Sequence, residues 1–557
     1  GFIDKHGTRA WMGIPFAAPP VGNLRWRAPQ PPAPWPGVME ALAPGNVCPQ
    51  IKNPLSGGSG EPDRISVGDE NCLFLNVWAP VNASRLPVMF WIHGGGNSIG
   101  DGGSYNGATL AAKQNVIVVT INYRLGPFGW FAHPDLSRGN PLDDSGNYGT
   151  LDIIAALEGT RDNIAGFGGD PGNVTVFGES AGAYNTLAMM ASPLTKGLFH
   201  RAIVQSGGFN VTSMASAQNF ASEGGHANSS VEITSKLLVQ DGTVADLDAA
   251  RTYHADMAPA ATREYLYGKS TEAFFRLWGD EGFAGMVNTP EHFGDGHVLP
   301  GLTTEEIFSN PENHNAVPAI LGTNRDEPAL FMVRAPENVE TFLFFFPRLK
   351  DEDAYLRTVK YGGLSWKARG VDSLARYMTA AGNPNVYAYR FDWDELPSVM
   401  GYDLSVALGA AHGLEIPFVF GDFEGGFASL ADFFSVSPGK DALSSSMQSY
   451  WSEFALNGDP GSGRDGKETP WLAWGTDGQR AIILDTVEGG GIRMMAEEVT
   501  AEGIKAELAA DRGITDARER CRLYVINFGW PELDRAEYDT FGPDGCAQFD
   551  PMEFSLF

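Results

Sequence analysis

The residues with the clearest chemical potential lie in "FGGDPGNVTVFGESAGAYNTLAMM", residues 167–190. Ser180 stands between Gly178 and Gly182, with a β-like run before it and a helix-like run after it. That spacing suits a nucleophile, because a serine on a sharp strand-to-helix turn needs very small residues two places before and after it. "NVTVF" supplies the strand, with Val174 and Val176 on one face. "AYNTLAMMA" supplies the helix, whose N-terminus directs amide donors and a favourable dipole at developing negative charge. "HGGGN" (93–97) follows the apolar run "VMFWI", and its three glycines leave backbone N–H groups open to a ligand. Gly95, Gly96 and Ala181 are the candidate oxyanion donors. The chain order Ser…Asp/Glu…His then directs the search downstream. "VPAILGTN" ends at "RDE", offering Asp326 and Glu327, and of ten histidines only His412, in "GAAHGLEIPFVFG", follows both serine and acid.

These residues need elements to hold them. Strand-like runs recur, each closing on a turn: "LPVMFWI", "NVIVVTINY", "NVTVF", "AIVQSGG", "VPAILGTN" and "NVYAYRFDW". Continuous apolar strands alternating with helical patterns predict a mainly parallel sheet covered by helices on both faces. In such α/β sheets, sites gather at the carboxyl ends of the strands, where every motif above falls. The first 50 residues, rich in Pro and Trp, predict an irregular wrap, and residues 214–288 predict a helical excursion. No internal repeat or low-complexity linker divides the chain, so residues 1–557 read as one elaborated domain.

Composition narrows the function. The net charge of −29, from 68 acidic and 39 basic residues, repels nucleic acid and anionic membranes. No apolar run is long enough for a transmembrane helix. Four cysteines form two closely spaced pairs, Cys48 with Cys72 and Cys521 with Cys546, although three connectivities are open. Four N-x-S/T sequons, at Asn82, Asn173, Asn210 and Asn228, join them in pointing to secretion or another oxidising, extracytoplasmic setting, with any leader already removed. Oligomeric state leaves no trace in the sequence.

The chain resembles the type-B carboxylesterases, a family of serine esterases that includes cholinesterases, fungal lipases and the non-catalytic neuroligins. The resemblance rests on "FGGDPGNVTVFGESAG", "DENCLFLNVWAP", "GIPFAAPPVGNLRW", "NYRLGPFGW" and "GNYGTLD", and spans roughly residues 1–470. It implies an α/β-hydrolase fold and a Ser–His–Glu triad of Ser180, His412 and Glu327, with Asp326 the neighbour that does not serve. It also implies a Cys48–Cys72 disulfide; Cys521–Cys546 rests on parity and proximity. Ser206, in "QSGG", matches a family position that supports the acid–base network, and Glu179 one that adds negative potential to the pocket. Asn71 departs from the family pattern, as do Asn97, Ala183 and Pro328, the last three affecting pocket shape more than chemical role.

The implied reaction is hydrolysis of a small-molecule carboxylic ester through a serine acyl-enzyme, needing no metal or organic cofactor. The loop after Cys48, "PQIKNPLSGGSGEPDRISVGDEN", contains no Trp, Tyr or Phe, which removes the cation–π partner of cholinesterases. It is also polar and lacks the amphipathic stripe of a lipase lid. Esterase activity is therefore expected over lipase activity or an esterase specialised for a natural-product or toxin ester, with a non-catalytic adhesion module last. The aromatic runs at 264–278 and 341–348 read as core sooner than as pocket lining.

Overall fold

The computed structural model describes residues 1–53, 64–279, 283–342, 346–399, 401–424, 438–529 and 533–554. Much of the polar loop after Cys48, and the side chains of 341–347, lie outside the described residues.

Short apolar runs bounded by turn residues become strands. Eleven of them form one sheet: β1 (Phe2–Ile3), β2 (Arg9–Pro15), β3 (Phe74–Ala79), β4 (Leu86–Ile92), β5 (Ile117–Ile121), β6 (Gly169–Glu179), β7 (Arg201–Gln205), β8 (Ala319–Asn324), β9 (Val386–Phe391), β10 (Ala481–Leu484) and β11 (Arg493–Met495). Their spatial order is β1-β2-β3-β5-β4-β6-β7-β8-β9-β10-β11. From β5 to β10 neighbouring strands run parallel. The flanking strands are antiparallel.

Alternate residues of the central strands feed two cores, as expected where both faces are covered. Val88, Phe90 and Ile92 of β4 pack on one face with residues of α1 (Tyr148–Asn163) and α2 (Ala181–Ala191). Met89 and Trp91 face the other way, into a core shared with α5 (Lys440–Asn457). The excursion is helical as predicted and includes α3 (Leu247–Ala255). Its aromatics Phe274, Phe275 and Trp278 are buried with Trp26, Phe128 and Phe131, so this run is core. Beyond residue 499 the tail packs on Tyr361 of α4 (Glu352–Lys367). Cys48 bonds Cys72, and Cys521 bonds Cys546. Among the described residues no helix is long and apolar enough to cross a membrane.

The N-terminal wrap is a point of correction. Arg9–Pro15 is a seven-residue strand in the sheet. Gly13 and Pro15 hide its periodicity, and its pairing to β3 breaks between Trp11 and Ile14. Asn76 spans that break by accepting the Gly13 N–H at 3.0 Å.

Candidate active site

Ser180 occupies the turn between β6 and α2 with φ +57° and ψ −126°. Such a conformation costs a non-glycine residue about 1–3 kcal/mol and persists only where its surroundings over-determine it. The neighbouring glycines are the reason it can form. A Cβ on Gly182 would lie 2.0 Å from the Ile92 carbonyl oxygen, and one on Gly178 would lie 2.5 Å from the Gly182 carbonyl carbon. The Ser180 N–H donates to the Gln205 carbonyl at 3.0 Å, while its own carbonyl accepts from Ala183 and Tyr184 and starts the helix.

The glycine loop after β4 lies against this turn. A Cβ on Gly94 would sit 3.0 Å from Cβ of Ser180. Gly95 (φ +103°) and Gly96 (φ +59°) hold backbone conformations that side chains resist. Among the described residues, the N–H groups of Gly95, Gly96 and Ala181 meet no protein acceptor. His93 anchors the loop: its Nδ1 donates to the Gly94 carbonyl at 2.8 Å, and its ring stacks on Tyr123 with centroids 4.4 Å apart.

His412 is buried, and its Nδ1 donates to Oε2 of Glu327 at 2.5 Å. The other Glu327 oxygen accepts from Thr323 Oγ1 and the Asn324 N–H, each at 2.7 Å. Asp326 turns away, accepting the Ala410 N–H and pairing with Arg325. Geometry thus separates two adjacent carboxylates that the residues alone leave equivalent. His412 Nε2 lies 3.1 Å from Oε1 of Glu179 but is not aligned to hydrogen bond with it. Since Glu179 immediately precedes Ser180, this approach brings the imidazole up to the serine turn, and among the described residues His412 Nε2 has no hydrogen-bond partner. Burial alone would depress His412; the carboxylates of Glu179, Glu327 and Glu415 outweigh it and lift its pKa to about 9. Burial raises Glu179 to about 8, with His412 opposing and Glu415 and Glu327 adding.

Several further residues support the site. Glu415 is fully buried and accepts from Asn324 at 2.7 Å and Gln205 at 3.2 Å. Its place in "HGLEIPFVF", an acid in an apolar run, was the available hint. Asn97 anchors a second chain: His292 donates to Asn185, Asn185 to Asn97 at 2.7 Å, and Asn97 to Glu291. Burial lifts Glu291 to about 7, partly offset by the Asn97 amide. The rings of Phe331 and Trp366 flank His412, with centroids 5.2 and 5.0 Å from it. Ser206 (φ +56°) is buried, but its hydroxyl makes no hydrogen bond among the described residues. Its link to the site is its carbonyl, which accepts from Trp366 Nε1 at 3.2 Å.

The Carboxylesterase family model matches residues 2–369 and 368–488. A para-nitrobenzyl esterase from Bacillus subtilis is 35% identical over 510 residues, covering 86% of this chain and 92% of that protein. A fumonisin B1 esterase from Sphingopyxis macrogoltabida is 33% identical, with coverage of 82% and 80%. Among solved structures, a PNB esterase superposes with a TM-score of 0.61 at 30% identity, covering 89% of this chain and 94% of that one. A Geobacillus stearothermophilus carboxylesterase gives 0.65 at 27% identity, covering 89% and 95%. The chain therefore belongs to the carboxylesterase family and is a serine carboxylesterase with the α/β-hydrolase fold.

Proposed function

We propose that Ser180 is the nucleophile that hydrolyses a soluble carboxylic ester, with His412 as general base and then acid and Glu327 as its orienting carboxylate. The observation that carries this reading is the Glu327–His412 bond of 2.5 Å beside the strained serine turn, with Glu179 reaching from that turn to the same imidazole. His412 Nε2 takes the Ser180 proton as Oγ bonds to the ester carbon. The oxyanion is received by the N–H groups of Gly95, Gly96 and Ala181. Glu327 holds the proton on Nδ1 and stabilises the imidazolium, an effect that the buried Glu179 and Glu415 reinforce. The imidazolium returns its proton to the departing alcohol, and water repeats the sequence on the acyl-enzyme to release the acid. Ser180→Ala should lower kcat for p-nitrophenyl butyrate by about 10⁵–10⁶-fold; retention of the full rate would contradict the assignment.

The relatives' names, a para-nitrobenzyl and a fumonisin B1 esterase, support carboxylic esters as the substrate class. The polar sequence after Cys48 supports soluble ones. Rates across a p-nitrophenyl chain-length series should therefore show no jump when the substrate passes its solubility limit. The two disulfides support work in an extracytoplasmic, oxidising compartment. Of the four sequons, Asn82 lies exposed in the turn after β3, whereas Asn173 and Asn228 spend their side-chain amides on carbonyls. Protein isolated from its native source should titrate with no free thiol.

A further inference from the structure

Away from the esterase site, two histidines and an aspartate cluster with unused bonding capacity. His133 precedes the short turn Pro134–Leu136, and His254 lies in the last turn of α3. The two imidazoles are only 5% and 6% exposed, and their rings lie 5.1 Å apart. Together with the half-buried Asp135 carboxylate, each offers a ligand atom, and the three atoms lie within 4.8 Å of one another. His133 Nε2 and His254 Nδ1 are buried without a hydrogen-bond partner among the described residues. The bonds of Asp135 run through its main chain: its N–H donates to His133 Nδ1 at 3.1 Å, and its carbonyl accepts from Arg263 at 2.7 Å.

Buried polar atoms are rarely left unpaired, and two of them on imidazoles clustered with one carboxylate call for a common partner. Burial keeps imidazoles uncharged, which is their ligating form. The net charge of −29 draws divalent cations to the protein. We propose that His133, Asp135 and His254 form a binding site for a divalent transition ion. Two imidazoles and a carboxylate suit zinc, with water completing the coordination. The ion here is structural, tying α3 of the helical excursion to the turn at 134–136.

Binding has two structural consequences. Ligands about 2.1 Å from a tetrahedral ion stand about 3.4 Å apart, so the three atoms close up on binding. The Asp135 amide bond to Nδ1 places the His133 proton on Nε2. Coordination through Nε2 therefore moves that proton to Nδ1 without net release, and the Asp135 amide gives up its bond. A water molecule could bridge the same atoms without that change, and it is the competing occupant.

The test uses the full chain, freed of metal by chelation. Zinc is titrated by calorimetry and thermal melting, and cobalt by visible absorption. The wild type should bind one equivalent at least 100-fold more tightly than Asp135→Asn or His254→Ala, with a d–d band of a four- or five-coordinate ion and a zinc-dependent rise in Tm. Asp135→Asn changes a partly exposed side chain and guards against misfolding of the buried His254 variant. Hydrolysis of p-nitrophenyl butyrate should be equal in all three proteins, since the cluster shares no residue with the esterase site. Identical isotherms in wild type and variants, or no binding below millimolar concentrations, would overturn the proposal and leave water as the occupant.

Discussion

In the proposed mechanism His412 must be neutral to accept a proton from Ser180, and three buried glutamates oppose that state. Because its pKa is raised to about 9, kcat/KM should climb with pH along an acid limb well above the usual histidine value of about 6.5. Glu179→Gln removes one of the carboxylates favouring imidazolium, so its acid limb should move to lower pH. A pH profile of kcat/KM for p-nitrophenyl acetate reads this directly, and a limb that stayed in place would argue against Glu179 as a tuning group. The two adjacent carboxylates separate as cleanly. Glu327→Gln should lower kcat by about 10⁴-fold, the scale on which a triad acid acts. Asp326→Asn should leave kcat within tenfold, because Asp326 bonds Ala410 and Arg325 and not the imidazole.

The glycine loop depends for its shape on partners outside itself. Asn97→Ala cuts the chain from His292 through Asn185 to Glu291. It should lower kcat by about 10²-fold with KM nearly unchanged, as expected for an interaction felt chiefly in the transition state. Steady-state kinetics on one soluble ester separates the two constants. The strand–turn–helix around Ser180 was readable in the sequence because its determinants are local: β-branched residues, two glycines and a helix-forming run within 24 positions. The loop at 93–97 and the acid after β8 were readable for the same reason. What could not be read were pairings between distant residues. Asn97 and Glu291 lie 194 positions apart, and Asn324 and Glu415 lie 91 apart. The choice of Glu327 over Asp326 came from family resemblance, since residue type and spacing leave the two equal. β2 was hidden because Gly13 and Pro15 break its alternation, while Asn76 restores its contact with the sheet.

The two disulfides close loops of 24 and 25 residues' separation. On the chain-entropy account each contributes about 3.5 kcal/mol. Their consequences should differ. Gln50, two residues from Cys48, exchanges hydrogen bonds of 3.0 and 2.8 Å with Gly100, close to the glycine loop. Cys48→Ser/Cys72→Ser should therefore lower both Tm and kcat. Cys521→Ser/Cys546→Ser, in the tail core around Tyr524 and Phe541, should lower Tm and leave kcat unchanged. Melting curves and steady-state rates on the two double variants check this. At the scale of the molecule, sheet, glycine loop and buried glutamates meet around the turn at Ser180, the proposed nucleophile. The most direct test is to treat the protein with a radiolabelled organophosphate and map the adduct by peptide mass spectrometry. The account predicts one equivalent of label on Ser180, with loss of esterase activity in step with labelling and no label on Ser180→Ala. Full inactivation with the adduct on another residue, or activity that survives complete labelling of Ser180, would contradict it.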